Sequence, residues 1–150
     1  MKLLLSLLFC FTTTFAFAQI NDTTEIIQGP EKYKKEVIDI CKYYDHLSDS
    51  IQKDRSKKMS KDSNYSENER KKQQEIYRGY DGISGYLWFE EMSKIKIIID
   101  RFLKIDRIGS SGVFIDRYGK TKYSFDYYRT ITDPDGTEKK IHGSVLWFED

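Results

Sequence analysis

The sequence predicts an α+β domain: a long N-terminal amphipathic helix packed on a C-terminal antiparallel β-meander of about five strands. Two patterns carry that expectation. Apolar residues recur at three- and four-residue spacing from Tyr33 to Ile51, which is the repeat of one helix face. From Tyr123 to Trp147 they alternate every second position around Asp133-Pro134-Asp135-Gly136, which is the repeat of two strands joined by a turn.

The segment before the domain reads as an address. Lys2 is followed by an apolar stretch from Leu3 to Phe17, and Ala16-Phe17-Ala18 offers small residues where a signal peptidase reads them. Residues 1–18 are therefore expected to be a signal peptide, with cleavage after Ala18 and a periplasmic or secreted product. A retained membrane anchor is the alternative, although the stretch is short for a bilayer span. Leu7-Leu8-Phe9-Cys10 departs from a lipidation motif at the bulky Phe9.

Removing residues 1–18 from 150 leaves 132, enough for one core and too few for two ordinary domains. Lys2 is the only charge lost, so the 25 basic and 24 acidic residues become 24 of each. That balance argues against a dedicated binder of nucleic acid or anionic membrane. Cys10 leaves with the signal and Cys41 is then alone, which excludes an intrachain disulfide and gives stability to the core. Cys41 lies in the apolar phase of the helix and is expected to be a small buried hydrophobe.

Residues 19–29 are mostly polar and read as a flexible leader, ended by Gly29-Pro30, with Pro30 suited to the first turn of a helix. The helix then covers about residues 31–58. Ser60 to Ser66 reads as a loop, and Glu67 to Tyr77, dense in charge and amide, as either a solvated helix or a mobile charged connector, with mobility expected over residues 60–75.

Residues 86–102 are ambiguous. Trp88, Met92, Ile95, Ile99 and Phe102 suit a helix, while Ile95 and the run Ile97-Ile98-Ile99 are β-branched and suit strands. The echo of Leu87-Trp88-Phe89-Glu90-Glu91 in Leu146-Trp147-Phe148-Glu149-Asp150 favours strands at 83–89 and 94–101, with a third near 112–118. A cone-like helix-and-curved-sheet arrangement, as in NTF2-like proteins, is the architectural alternative, compatible in size and element order.

The final hairpin can be placed in register. With Asp133 opposite Thr137, Phe125 faces Val145, Tyr123 faces Trp147 and Tyr127 faces Gly143. Every pair on that face is apolar, or an aromatic ring over a glycine. The other face then carries Lys140, His142 and Ser144, with Tyr128 opposite His142 and Asp126 opposite Ser144.

The grouping of His142, Asp126 and Ser144 is the weak catalytic candidate, a small hydrolase. Against it, Ser144 lies within a regular strand rather than on a strained turn beside oxyanion donors. Tyrosine is the compositional excess, eleven residues, and supplies rigid amphipathic contact area. Tyr128, Lys140, Tyr86 and Tyr118 are the candidates for touching a ligand or partner. His46, next to Asp45, reads as an exposed helical histidine. Two histidines and one remaining cysteine, far apart, give no zinc pattern, and Asp133 to Gly136 lacks the ligands of a calcium loop. No phosphate-cradling or dinucleotide glycine motif is present, so no cofactor is expected. The leading expectation is an exported, non-enzymatic binding protein. It would act through its sheet face on a protein partner or small ligand of the cell envelope, with no membrane span after processing.

Overall fold

The structure, a computed structural model, describes residues 23–59 and 64–149. Its elements run β1 (Thr23–Gln28), α1 (Glu31–Lys58), α2 (Glu67–Asp100), β2 (Arg107–Ile115), β3 (Thr121–Thr132) and β4 (Glu138–Glu149). The four strands form one mixed sheet in the order β1-β4-β3-β2. The architecture is α+β, two helices over a four-stranded sheet. The expected signal peptide, its cleavage site and Cys10 lie outside the described residues, as do residues 60–63 of the expected connector.

α1 follows its apolar repeat. Val37, Ile38, Cys41 and Tyr44 are buried, and charged residues occupy the outer turns. Pro30 stands at the N-cap and Glu31 in the first turn, where a negative charge meets the positive end of the helix dipole.

The expected strands at 83–89 and 94–101 are instead the second half of one 34-residue helix. Its start is marked by a capping box: Ser66 N–H donates to Glu69 Oε2 at 2.8 Å, and Glu69 N–H donates back to Ser66 Oγ at 3.4 Å. Of the two readings of the charged segment, the structure has the solvated helix: residues 67–75 are its first turns rather than a mobile connector. Met92, Ile95, Ile98 and Ile99 are buried at helical spacing against α1 and the sheet. Tertiary packing therefore overrides the β propensity of the isoleucines. The pentapeptide echo had no structural meaning, since one copy is helical and the other lies in β4.

The two helices run antiparallel. Arg101 donates to Glu36 at 2.8 Å, Lys94 to the Tyr44 hydroxyl at 2.8 Å, and Tyr80 Oη to Asp54, so rising numbers on α2 meet falling numbers on α1. Arg55 also lies 4.0 Å from the Tyr77 ring centroid. Only the first half of α1 and the second half of α2 contribute buried residues to the core; their other halves pair with each other.

The hairpin register is as expected. Phe125 faces Val145, Tyr123 faces Trp147, Tyr127 faces Gly143, Asp126 faces Ser144 and Tyr128 faces His142. Asp133 N–H donates to the Thr137 carbonyl at 2.8 Å, and Gly136 supplies the positive φ, +85°, that closes the turn. The inner face of β3 and β4 is sealed by the helices: Phe125, Tyr127, Val145 and Trp147 are all 2% exposed or less. In a cone-like arrangement that side would enclose a pocket; here it is filled by side chains.

The expected flexible leader is corrected too. Its residues 23–28 form β1, which pairs in parallel with β4 and makes the sheet mixed rather than an antiparallel meander. The anchor is polar. Glu25 lies opposite Gly143, accepts a hydrogen bond from the Tyr127 hydroxyl at 2.5 Å and another from Arg129 Nη2 at 2.9 Å. Gly143 leaves the space for this: an added Cβ would stand 2.5 Å from the Tyr127 oxygen and 2.8 Å from Glu25 Cγ. The third expected strand, near 112–118, is β2, shifted towards the N-terminus to Arg107–Ile115.

Candidate functional site

Side chains alternate across a strand, so sealing one face of the sheet leaves the other to solvent. β3 presents Lys122, Ser124, Asp126, Tyr128 and Thr130 there, and β4 presents Lys140, His142, Ser144, Leu146 and Phe148. This is the polar face that the register placed opposite the apolar pairs.

Its most ordered part surrounds Tyr128. The Tyr128 and His142 rings stack with centroids 4.6 Å apart and planes 8° from parallel. From β2, the Arg107 guanidinium carbon lies 4.1 Å from the Tyr128 centroid, a cation–π contact. The ring is thus flanked by an imidazole from one neighbouring strand and a guanidinium from the other. A β-bulge makes this possible. The β2–β3 register shifts between Ile108 and Ser110, leaving Gly109 as the extra residue. A Cβ at Gly109 would stand 2.7 Å from Tyr128 Cε2, so the ring occupies the place of a side chain.

Beside the stack is a cavity of ≈ 560 Å³, lined by Asp106, Arg107, Tyr128, Arg129, Thr130, Lys140, Ile141 and His142. That volume lies within the range of small-molecule sites. Thr130 Oγ1 donates to Asp106 Oδ2 at 2.8 Å, and Arg129 is held by Glu25.

The candidate triad residues meet in a different order from the one catalysis needs. Ser144 Oγ donates directly to Asp126 Oδ1 at 2.6 Å, and Ser110 Oγ to Asp126 Oδ2 at 2.6 Å. Burial works against ionisation of Asp126, but the bonds from Ser110 and Ser144, with His142 nearby, hold its carboxyl below the ordinary carboxylate value. A serine nucleophile needs its proton on an imidazole. Here the carboxylate takes the serine hydroxyl, and the imidazole is stacked on Tyr128.

Of the other candidates, Lys140 shares the cavity with Tyr128. Tyr118 lies at the β2–β3 turn, where its N–H donates to Asp116 Oδ1 at 2.8 Å and Arg117 approaches its ring. Tyr86 is exposed on α2. The open face therefore brings together Tyr128, Lys140, His142, Asp126 and Ser144, while Tyr86 and Tyr118 stand on other elements. Arg107, Gly109, Ser110 and Asp106 were not singled out from the sequence. The run Gly109-Ser110-Ser111-Gly112 carries a bulge signal in its glycines, but the start of β2 had been placed too late to use it.

A second group of titratable residues lies between the helices. Burial pushes the Glu91 carboxyl up to about 7, with the Asp45 charge adding to the shift and a hydrogen bond with the Cys41 thiol opposing it. Burial, and then the Glu91 charge, push the Cys41 thiol well above its ordinary value, so it is inert as a nucleophile. Cys41 is 2% exposed, the buried small hydrophobe expected. Among the described residues no group of three or more His, Cys, Asp or Glu is placed to hold a metal ion, and no helix is long and apolar enough to cross a membrane. Comparison with protein-family models, with curated proteins and with solved structures finds no match for this chain.

Proposed function

We propose that this is an exported binding protein that engages its ligand or partner through the open face of the sheet. The observation that carries the reading is the Arg107–Tyr128–His142 stack beside its cavity. Three side chains from three strands are ordered on a solvent-facing surface, and the bulge at Gly109 leaves room for them. Preorganised aromatic and cationic groups lose little conformational entropy on binding, which favours affinity. The export half of the proposal rests on Lys2, the apolar stretch and Ala16-Phe17-Ala18.

Catalysis by His142 with Asp126 and Ser144 is the second reading. The direct Ser144–Asp126 bond weighs against it.

The test is affinity capture from the cell-envelope fraction with the wild-type chain, with Tyr128→Ala, and with Lys53→Ala on exposed α1 as a control surface. Expected is a captured species that Tyr128→Ala loses and Lys53→Ala keeps. Equal capture by all three would place recognition elsewhere and overturn the reading. N-terminal sequencing of the exported protein is expected to begin at Gln19; a mature chain that retains residues 1–18 would overturn the export half.

A further inference from the structure

The cavity beside Tyr128 has an electrostatic character that the overall neutrality of the chain conceals. Three basic side chains line it, Arg107, Arg129 and Lys140, beside His142. Arg129 is neutralised by Glu25, whose carboxylate it meets at 2.7 Å. Asp106 is the one acid in the lining, and it accepts from Thr130. Arg107 and Lys140 remain as two cations against this single acid. Among the described residues neither has a carboxylate partner, whereas most lysines of the helices are paired along their own helix, as Lys35 with Asp39 and Lys96 with Asp100.

Arg107 is also held in a useful posture. Its guanidinium carbon lies 4.1 Å from the Tyr128 centroid, and a guanidinium carries its N–H donors around the edge of its plane. Those donors match the two oxygens of a carboxylate or phosphate. Lys140, opposite Thr130 on the neighbouring strand, adds a mobile point charge at the same cavity. Tyr128 has His142 on one face and Arg107 against the other, so this group borders the cavity as a packed aromatic edge.

We propose that this cavity binds the oxyanion of a small ligand, a carboxylate or phosphate. Arg107 and Lys140 hold the anion, and the Tyr128–His142 pair keeps Arg107 in place beside it. The proposal rests on the sheet-face reading and narrows it to one ligand chemistry.

The experiment titrates the full chain with three probes that share a ring: phenyl phosphate, benzoate and neutral benzyl alcohol. Binding is followed by amide and imidazole NMR shifts and by calorimetry at two salt concentrations. Expected is saturable binding of one or both anions, with shifts centred on Arg107, Tyr128, Lys140 and His142. Affinity should fall with added salt, and Arg107→Gln and Lys140→Gln should each weaken it about tenfold, as loss of a charge-assisted hydrogen bond does. Preference for phenyl phosphate over benzoate, or the reverse, assigns the anion.

Equal shifts at these residues with benzyl alcohol would overturn the anion proposal and leave the sheet-face reading standing. Anion binding that both glutamine variants retain would overturn it as well. No shift with any probe, together with Tyr128→Ala leaving envelope capture intact, would overturn both. No shift while Tyr128→Ala abolishes capture would overturn the anion proposal alone. The amide spectrum of each variant shows that it is folded.

Discussion

Replacing Gly143 with alanine tests the polar anchor that makes β1 part of the sheet. An ideal Cβ at this position lies 2.5 Å from Tyr127 Oη, 2.6 Å from Cζ and 2.8 Å from Glu25 Cγ. Neither neighbour is a free end. Tyr127 is 0% exposed, and its hydroxyl is tied to the carboxylate that Arg129 also holds. Forcing a methyl group into a packed site costs about 1–3 kcal/mol. Displacing the phenol from a charged acceptor costs about 1.5–3 kcal/mol more. Alanine returns about 0.5–1 kcal/mol through the lower entropy of the unfolded chain.

The net expectation is a loss of about 2–5 kcal/mol. With a urea slope of about 1.5 kcal/mol/M, the midpoint falls by about 1.5–3 M. Hydrogen exchange should quicken first at the β1 and β4 amides, where the anchor is broken. Gly82→Ala is the control. Nothing lies within 4 Å of a Cβ there, inside an exposed helix, so the same substitution should stabilise by up to about 1 kcal/mol. A Gly143→Ala unfolding free energy within about 0.5 kcal/mol of wild type would refute the packing argument. So would a larger loss from Gly82→Ala.

The half-buried Glu91 predicts a pH effect. Its carboxyl is pushed up to about 7 in the folded protein, so the folded state binds the proton more tightly than the unfolded chain. The resulting stability is fully present below about pH 4.3 and is lost as pH rises through about 7. Glu91→Gln, which stays neutral, should gain about 1–2 kcal/mol over wild type at pH 8, after allowance for solvent screening of a half-exposed group, and little at pH 5. Urea melts at the two pH values check this, and an equal gain at both would count against it. Cys41, 2% exposed with its thiol pK pushed up, should react with a thiol reagent only as the chain opens. Labelling should therefore accelerate with urea in step with unfolding, and rapid labelling of the native protein would contradict its burial.

Local chemistry accounts for what was legible in the chain. The three- and four-residue spacing from Tyr33 to Ile51 matches α1, Glu31–Lys58, because a helix of that length buries one face regardless of what covers it. The hairpin register followed from period-two alternation and one turn, since a one-residue slip would turn Tyr123, Phe125 and Tyr127 out of the core. From that register alone came the neighbours Tyr128–His142 and Asp126–Ser144.

Three things were decided only by tertiary structure. The isoleucines of 95–99 have strand propensity, but Ile95, Ile98 and Ile99 join the core at helical spacing while Ile97 stays exposed, in a helix that begins at a capping box 26 residues before Met92. β1 is short and polar, and it holds its place through Glu25 meeting Tyr127 and Arg129, more than 100 residues away in the chain. The site beside Tyr128 depends on Arg107 reaching across from β2 past a glycine bulge. Alternation along one strand says which face a residue shares; it does not say which distant strand will lie next to it. That is why half of this site was readable from the hairpin, and Arg107 was not.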